Sequence, residues 1–270
     1  MAKVVLITGV SSGFGKAISE RLSSEGYTVY GISRGQNEDL EGKIKLLQAD
    51  VTDVGSIQKG VSTLLAREGR IDILINNAGM GISGSVEESS REAIHLQMST
   101  NFIGSVNMIQ AVLPAMRKQG GGTIVNISSI GGLMGLPYQG FYAASKFAVE
   151  GLSESLRMEL LPFKIKVVVI QPGDFFTSFT ANRKPIQTDG SDGVYKAQFQ
   201  KTLSIIEKDE HGGLKPEFLA RKLSKILKKK NPCHSYIIAT LEQKFAVVLK
   251  RILPGSVFSS ILSSHYGIKS

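Results

Sequence analysis

The sequence predicts an α/β fold: a doubly wound parallel sheet covered by helices on both faces, in three α/β/α layers. Short, almost continuous apolar runs alternate with amphipathic stretches over about the first 170 residues. Strands that are apolar on both faces need cover on both sides, which helical crossovers between parallel strands provide. Glycine is also abundant, at 29 of 270 residues, and most glycine clusters follow an apolar run. Folds of this class bind ligands at such turns, outside the carboxyl ends of their strands.

Apolar runs and helical spacings predict the elements in chain order. Residues 4–8 are nearly all apolar and form the first strand, after which Ala17, Ile18 and Leu22 recur at the spacing of an amphipathic helix. Further short apolar runs predict strands at 28–32, 44–48, 71–75, 123–127, 165–170 and 235–239. Amphipathic spacing predicts helices at 54–67, 87–100, 105–118, 141–161 and 216–229, the last with proline at its first position. The polar stretch 181–200 is predicted to be a lid or a loop without secondary structure.

Composition excludes several classes of protein. Cys233 is the single cysteine, so an intrachain disulfide and a multi-cysteine metal site are impossible, and four scattered histidines predict no metal site. The longest apolar runs are far shorter than the roughly 18–20 residues that span a bilayer, and the N-terminus is too short for a signal peptide core. A cytoplasmic protein is therefore expected. The net charge of +9 is compatible with binding to nucleic acid, an anionic membrane or a phosphorylated ligand, and it does not distinguish among these partners.

A glycine turn follows the first strand and precedes a helix. Its pattern is Gly9-x-x-x-Gly13-x-Gly15. Glycine permits both the tight turn and the close approach of a pyrophosphate, and the helix N-terminus adds free N–H donors and partial positive charge. The turn predicts dinucleotide binding, with a plain strand–helix turn as the alternative.

Three motifs together carry a resemblance to a known family. Thr8-Gly9-x-x-x-Gly13-x-Gly15, Asn76-Asn77-Ala78-Gly79 and Tyr142-x-x-x-Lys146 occur in the order and at the separations typical of short-chain dehydrogenases/reductases. The chain resembles the compact branch of that family over about residues 1–180. The resemblance implies a Rossmann-like fold and an oxidoreductase that uses a nicotinamide cofactor. The cofactor contacts that it implies are Gly9, Ser11, Ser12, Gly13, Phe14, Gly15, Asp50, Val51, Asn77, Ala78, Gly79, Tyr142, Lys146, Pro172, Gly173 and Thr177.

The end of the second strand predicts which nicotinamide cofactor is used. Sites for NAD commonly place an acid there, on the adenosine ribose, whereas this strand ends in Ile32-Ser33-Arg34. A guanidinium can pair bidentately with a 2′-phosphate, so NADPH is predicted over NADH. The alternative is an ordinary surface charge at Arg34. Asp50 matches the family's adenine-contacting acid, and equally suits a cap for the helix that starts near Thr52.

Tyr142 and Lys146 are the candidate catalytic pair. They lie four residues apart on a predicted helix and therefore on one face. A nearby ammonium favours the phenolate, and about 4 kcal/mol would move a phenol pKa from near 10 toward 7. We expect Lys146 and an oxidised nicotinamide ring to supply this together. Tyr142 is then a general acid toward a ketone, or a general base toward an alcohol.

Two further catalytic residues are implied by the resemblance. Ser129 lies thirteen residues before Tyr142 and matches the family's serine that hydrogen-bonds the substrate oxygen, with Ser128 as the competing candidate. Asn101 matches the residue that holds a water linking Lys146 to solvent. The alternative for Asn101 is an asparagine that satisfies local backbone groups.

Two motifs after strands have implied roles around the cofactor. By the same resemblance, Asn76-Asn77-Ala78-Gly79 braces the central sheet and lines the cofactor ribose. Thr177, at the end of Pro172-Gly173-x-x-x-Thr177, is implied to bond the nicotinamide carboxamide.

Residues 123–180 look like the 17β-hydroxysteroid dehydrogenase group of this family, through runs such as Gly131-Gly132-Leu133-Met134-Gly135-Leu136-Pro137. The likeness implies a lipophilic ketone or secondary alcohol as substrate: a steroid, a retinoid or a long-chain keto lipid. The expected substrate contacts are Ser129, Met134, Leu136, Tyr142 and Phe176, the last in a lid that Phe175, Phe176 and Phe179 open. The leading hypothesis is an NADPH-dependent carbonyl reductase. The alternatives are a 3-oxoacyl-carrier-protein-type reductase and an NADPH-binding sensor protein.

We expect a single dinucleotide-binding and catalytic domain over 1–270. Within it, 175–235 is expected to form the substrate lid and variable substrate segment, and 241–270 an amphipathic C-terminal tail. In the tail, Phe245, Val248 and Ile252 recur on one helix face, which predicts either core or subunit packing or contact with anionic lipid.

Helices near 105–118 and 143–160 resemble the family's dimer-forming pair, so a homodimer or homotetramer is expected. Net charge alone favours nucleic acid, and no such partner is expected.

Overall fold

The computed structural model describes residues 2–35, 40, 42–185 and 193–268. Within this part of the chain, a seven-stranded parallel sheet has the order β3-β2-β1-β4-β6-β7-β9. Its strands are β1 (Val4–Thr8), β2 (Thr28–Ser33), β3 (Lys45–Gln48), β4 (Ile73–Asn76), β6 (Gly122–Ile127), β7 (Ile165–Pro172) and β9 (Ser235–Ile238). A separate parallel pair joins β5 (Ile82–Ser83) to β8 (Lys184–Pro185).

Helices connect the strands and cover both faces of the sheet. They are α1 (Gly13–Ser24), α2 (Val54–Glu68), α3 (Arg91–Met98), α4 (Gly104–Lys118), α5 (Gly140–Glu159), α6 (Ser178–Ala181), α7 (Lys196–His211), α8 (Pro216–Leu227), α9 (Leu241–Ile252) and α10 (Gly255–His265). The predicted fold class is confirmed: this is a Rossmann-like, three-layer α/β/α arrangement. The strand order reverses between β1 and β4, which places a ligand crevice outside the carboxyl ends of those strands.

The sheet has a hydrophobic cluster on each face. β1 is buried along its whole length, and its side chains alternate: Val4 and Leu6 join one cluster, while Val5 and Ile7 join the other. The first cluster includes residues of α2, α4 and α5, and the second includes residues of α1 and α8. Continuous apolar strands are thus covered on both sides, as the sequence predicts.

Two segments differ from the sequence-based prediction. The helix expected over 87–100 starts later, at Arg91, because Ser90 caps it by accepting Ala93 N–H, and after Met98 a π-helical turn, Ser99–Ile103, leads into α4. The stretch 181–200 was expected to lack secondary structure, but α7 begins at Lys196. This helix buries only Thr202 and Ile206, so its periodicity is too weak to recognise in a polar sequence. Residues 186–192 of the expected lid lie outside the described part of the chain.

The C-terminal tail forms two amphipathic helices, α9 and α10. Thr240 and Gln243 build a capping box that starts α9. The inner side chains Val247 and Phe258 are buried in a third cluster with Met134, which ties the tail to the loop after β6. Among the helices of the described residues, none combines the length and apolar character needed to cross a bilayer.

Candidate active site

The glycine turn between β1 and α1 packs tightly against the turn after β4. Gly9 has a positive φ of 71°, and a Cβ there would lie 2.8 Å from Ala78 Cα. A Cβ at Gly15 would lie 2.1 Å from the Gly9 carbonyl oxygen and 2.6 Å from Asn77 Nδ2. Only glycine therefore allows this approach of two backbones. Gly13 also has a positive φ, of 54°. Ser11, Ser12, Gly13 and Phe14 line the cleft, whereas Gly15 is buried beneath it.

Asn77 ties the turns after β1 and β4 together. Its Nδ2 donates to the carbonyl oxygens of Thr8 and Gly9 at 2.9 and 3.0 Å. The hydroxyl of Thr8 accepts the backbone N–H groups of Asn77 and Ala78 at 3.0 and 2.9 Å. Deeper in the sheet, Asn76 Nδ2 donates to Asn126 Oδ1 at 2.9 Å. This motif therefore braces the sheet at the switch point and leaves Asn77, Ala78 and Gly79 lining the cleft.

Arg34, Asp50 and Val51 line the cleft at the ends of β2 and β3. The Arg34 side chain is exposed, while its carbonyl oxygen accepts Gln48 Nε2 at 3.0 Å. Asp50 Oδ1 accepts the backbone N–H and the hydroxyl of Thr52 at 2.8 and 2.7 Å. Asp50 does not cap α2 in this structure, because Asp53 is the capping residue and accepts Gly55 N–H.

Pro172, Gly173 and Thr177 close the cleft from the end of β7. A Cβ at Gly173 would lie 2.1 Å from Gln243 Oε1, so glycine lets α9 pack close to this strand end. Thr177 caps α6 by accepting Phe179 N–H at 3.2 Å. Thr177 also lies against the glycine turn between β1 and α1, because a Cβ at Gly13 would be 3.7 Å from Thr177 Cβ.

Tyr142 and Lys146 lie on the face of α5 that lines the cleft, at the predicted spacing. Lys146 is buried, and its Nζ donates to the Ile127 carbonyl oxygen at 2.9 Å and lies 5.7 Å from the centre of the Tyr142 ring. Burial lowers the pKa of Lys146 to about 8. Burial raises the pKa of Tyr142 to about 12, so Lys146 alone does not produce the lowering expected from the sequence. The phenol is therefore protonated at neutral pH, and the lowering of its pKa toward neutrality that favours proton transfer would have to come from groups besides Lys146.

Ser129 lies beside Tyr142 at the end of β6. Hydrogen bonding from Ser129 lowers the pKa of the Tyr142 phenol, against the larger effect of burial. Ser129 Oγ accepts Gly131 N–H at 3.0 Å, which starts a short 3₁₀ turn. The competing residue Ser128 is also buried and lines the cleft, but the hydrogen bonding that acts on the Tyr142 phenol comes from Ser129. The geometry thus favours Ser129 over Ser128 as the partner of a substrate oxygen.

Asn101 is buried in the π-helical turn between α3 and α4 and does not line the cleft. Its Oδ1 accepts Met80 N–H at 2.9 Å, and its Nδ2 donates to the Met80 carbonyl oxygen at 3.0 Å. Nδ2 also donates to Ser145 Oγ at 3.1 Å, and Ser145 donates to the Tyr142 carbonyl oxygen at 2.7 Å. Asn101 therefore satisfies backbone groups and connects the loop after β4 to the first turn of α5.

Apolar side chains form the far wall of the cleft. Met134 and Leu136 line it, as the sequence predicts. The tail helices contribute the rest of this wall through Ala246, Leu249, Phe258, Ile261 and Leu262. Sequence periodicity marks α9 as amphipathic, but which of its sides faces the cleft depends on how it packs.

Phe179, and not Phe176 as predicted, lies beside Tyr142 in the cleft. The Phe179 ring lies 5.6 Å from the Tyr142 ring and lines the cleft. Phe176 is 54% exposed, stacks on His211 at 5.7 Å and lies outside the cleft lining, while Phe175 packs on Phe14. The reason is that Phe176 precedes α6, whereas Phe179 is on the turn that Thr177 caps.

A charged cluster surrounds this aromatic pair. Arg183 is buried, pairs with Glu210 of α7 and lies 5.7 Å from the centre of the Phe179 ring. Burial raises the pKa of Asp174 to about 6, and Glu210 acts in the same direction. Gln243 Nε2 donates to Asp174 Oδ2 at 2.5 Å. These residues come from four separate segments, so no sequence motif marks them.

Together these residues enclose one cleft of about 1230 Å³. Its lining is suited to a dinucleotide: the N-terminus of α1, which starts at the positive-φ residue Gly13, offers backbone N–H donors for phosphates, and Arg34 lies at the far end. Tyr142, Lys146 and Ser129 stand at the opposite end, beside the apolar wall. In the described part of the chain, no group of His, Cys, Asp or Glu is arranged to hold a metal ion.

The cleft combines a helix N-terminus suited to phosphates, at the switch point of the sheet, with a tyrosine, a lysine and a serine. This combination defines a nucleotide-dependent oxidoreductase that acts on hydroxyl or keto groups. The chain belongs to the short chain dehydrogenase family, whose family model matches residues 3–187. Solved structures of the same fold hold NADP in some cases and NAD in others.

Three known proteins show the extent of the similarity. The chain is 48% identical over 267 residues to 3-ketodihydrosphingosine reductase of Bacteroides thetaiotaomicron, covering 99% of each chain. It is 40% identical over 191 residues to human 17-beta-hydroxysteroid dehydrogenase type 1, covering 65% of this chain and 58% of the human enzyme. Among solved structures, a short-chain dehydrogenase from Streptomyces avermitilis superposes with a TM-score of 0.82 at 30% identity, covering 99% and 97% of the two chains.

Proposed function

We propose that the protein is an NADPH-dependent reductase of long-chain keto lipids, of which 3-ketodihydrosphingosine is the first candidate. The observation that carries the proposal is the position of Tyr142 and Ser129 at the base of an apolar wall built by the 130–136 loop and the tail helices. Full-length similarity to a reductase of that lipid supports the same substrate class. Reduction is taken as the forward direction, and the reverse reaction is alcohol oxidation.

The proposed roles follow from the geometry. Ser129 orients the carbonyl oxygen of the substrate, and the Tyr142 phenol donates a proton to that oxygen as its negative charge develops. Lys146 holds the cofactor ribose and supplies positive charge near the phenol. Bound NADPH supplies the hydride to the carbonyl carbon. Asn101 holds the Met80 backbone and the start of α5 in place. We propose that it also holds a water molecule that links Lys146 to solvent.

The remaining residues divide the cleft between cofactor and substrate. Backbone N–H groups of the Gly9–Gly15 turn would bind the pyrophosphate, Asp50 and Val51 the adenine, and Thr177 the nicotinamide amide. Met134, Leu136 and Phe179 would contact the lipid chain, in place of the substrate role first expected for Phe176. Apolar walls with a few convergent polar groups are typical of such pockets.

The test is loss of NADPH absorbance with a panel of ketones. The panel contains 3-ketodihydrosphingosine, a ketosteroid, retinal and a 3-oxoacyl thioester. Turnover of the long-chain keto lipid above the others supports the proposal. Preference for the steroid or retinal would reassign the substrate within the lipophilic class, and preference for the thioester would favour the 3-oxoacyl-carrier-protein-type reductase. Tight NADPH binding without any turnover would favour a sensor protein.

Arg34 is proposed to select NADPH over NADH. Replacing Arg34 with Ala is expected to weaken NADPH binding by about 2 kcal/mol, or roughly thirtyfold, because charge-assisted hydrogen bonds to the 2′-phosphate are lost. NADH binding should change little. Fluorescence titration with both cofactors measures the effect, and Arg67→Ala, an exposed arginine at the end of α2, is the control. Equal weakening of NADPH and NADH binding would contradict the assignment.

The tail is proposed to contact an anionic membrane surface. Leu241, Phe245, Val248 and Ile252 form an exposed stripe along α9, opposite the side that lines the cleft. Lys244 is an exposed cation on the same helix. A lipid substrate would then enter the cleft beside the helices that touch its source membrane. The proposed location is the cytoplasm, with peripheral attachment to this surface.

Flotation with acidic vesicles at low salt measures this contact. Val248→Glu is expected to reduce vesicle binding strongly, because it places a carboxylate in the apolar stripe. Val54→Glu is the matched control, since Val54 is equally exposed, at 50%, but lies at the start of α2. Wild-type protein that stays at the bottom of the gradient would exclude the membrane contact.

A homodimer or homotetramer is also proposed. On α5 and the turn that follows it, Phe147, Met158 and Leu161 are exposed, and Leu161 is 70% accessible. The resemblance implies that this helix forms subunit contacts, and the exposed apolar side chains along it support the proposal. Light scattering after size-exclusion chromatography decides between monomer, dimer and tetramer.

A further inference from the structure

A carboxylate stands one turn beyond the catalytic pair on α5. Tyr142, Lys146 and Glu150 follow each other at i, i+4 and i+8, which places them in a row along one helix face. Gln171 of β7 is buried, and its Nε2 donates to both carboxylate oxygens of Glu150 at 3.1 and 3.0 Å. Gln171 directly precedes Pro172 and Gly173, which line the cleft. The end of β7 therefore also holds the Glu150 carboxylate in place.

We propose that Glu150 is a positioning residue that keeps Lys146 in its charged form at the base of the cleft. This inference rests on the proposed reductase function for its purpose, though not for its test. Lys146 needs its charge to hold a ribose and to supply positive potential near Tyr142. Its surroundings oppose that charge, because the side chain is buried and its Nζ donates, among the described residues, to the Ile127 carbonyl oxygen alone.

The charges around the row support this role. Burial lowers the pKa of Lys146 to about 8, and Glu150 is the group that raises it. Burial raises the pKa of Glu150, and the hydrogen bonds from Gln171 and the charges of Lys146 and Arg157 act in the opposite direction. The two bonds from Gln171 favour the carboxylate form.

The charges that act on Tyr142 come from a different part of the structure. They belong to Glu210, Arg183 and Asp174, beyond the Phe179 ring. Glu150 acts on Lys146, whereas Glu210, Arg183 and Asp174 act on Tyr142. The two effects are therefore separable by mutation.

The variant Glu150→Gln separates charge from structure. A glutamine has nearly the same shape, and its Oε1 can still accept a hydrogen bond from Gln171, so the contact between α5 and β7 is kept. Glu150→Asp keeps the charge on a shorter arm. Glu154→Gln is the matched control, because Glu154 is exposed one turn further along α5.

The first measurement needs neither cofactor nor substrate. Lysine labelled with ¹³C at Cε is followed by NMR as a function of pH, with the Lys146 signal assigned by Lys146→Arg. Removing an opposite charge should lower the Lys146 pKa by about one unit in Glu150→Gln, and leave it unchanged in Glu154→Gln. Glu150→Asp should titrate close to the wild type. Thermal unfolding checks that each variant is folded.

An unchanged Lys146 pKa in a folded Glu150→Gln variant would overturn the proposal. So would equal lowering in Glu150→Gln and Glu150→Asp, because that result would mean that shape, and not charge, matters. The second measurement is the pH profile of ketone reduction. Activity should fall on the alkaline side as Lys146 loses its proton, and this limb should move to lower pH in Glu150→Gln. A wild type without turnover would count against the proposed function, while the NMR titration would still decide the role of Glu150.

Discussion

Tyr142→Phe is expected to reduce kcat for ketone reduction by about 10²–10⁴-fold, with NADPH affinity nearly unchanged. The phenyl ring can still pack against Phe179 at the base of the cleft, so the shape of the site is kept. What is lost is the hydroxyl that donates the proton. The wild-type hydroxyl is protonated in the neutral range, as a proton donor to a ketone must be, although burial raises its pKa to about 12 and so makes it a weaker acid than a free phenol.

The measurement combines NADPH oxidation with cofactor titration. Tyr138→Phe is the control, because Tyr138 lies four residues earlier, packs against Phe199 at 5.4 Å and does not line the cleft. It should retain full activity. If Tyr142→Phe kept most of its turnover, another group would have to donate the proton, and the proposed mechanism would be wrong.

Gly15→Ala is expected to destabilise the protein by about 3 kcal/mol, because overpacking forces backbone to move. The new Cβ would lie 2.1 Å from the Gly9 carbonyl oxygen and 2.6 Å from Asn77 Nδ2, and neither atom is at the end of a flexible side chain that could turn away freely. The predicted decrease in Tm is roughly 6–12 °C. NADPH binding should also be lost, since the start of α1 must shift.

Thermal unfolding and cofactor titration check this result. Gly255→Ala is the control, because it is the first residue of α10 and a Cβ there meets nothing within 4 Å. Its Tm should stay close to that of the wild type. A Gly15→Ala protein with wild-type stability would mean that the two turns separate more easily than their contacts indicate.

The sequence alone was sufficient for the fold class and for most of the residues that line the cleft, whereas Phe176, Asn101 and Gly15 lie outside its lining. Continuous apolar strands require cover on both faces, and that requirement decides the fold class without any contact between distant residues. The spacing of Tyr142 and Lys146 places them on one side of a helix wherever that helix packs. The glycines of the first turn were recognisable because a positive φ and a close approach leave few other choices.

Only the tertiary structure decided which neighbours these residues meet. Phe179, and not Phe176, faces Tyr142 because Thr177 begins a short helix between them. α7 is not predicted from the sequence because it buries only Thr202 and Ile206, which leaves little apolar periodicity to recognise. Glu150 resembles any helical glutamate in sequence, and only the pairing of β7 brings Gln171 against its carboxylate. Local periodicity is determined by the chain itself, whereas burial, charge environment and access to the cleft arise only when distant segments pack together.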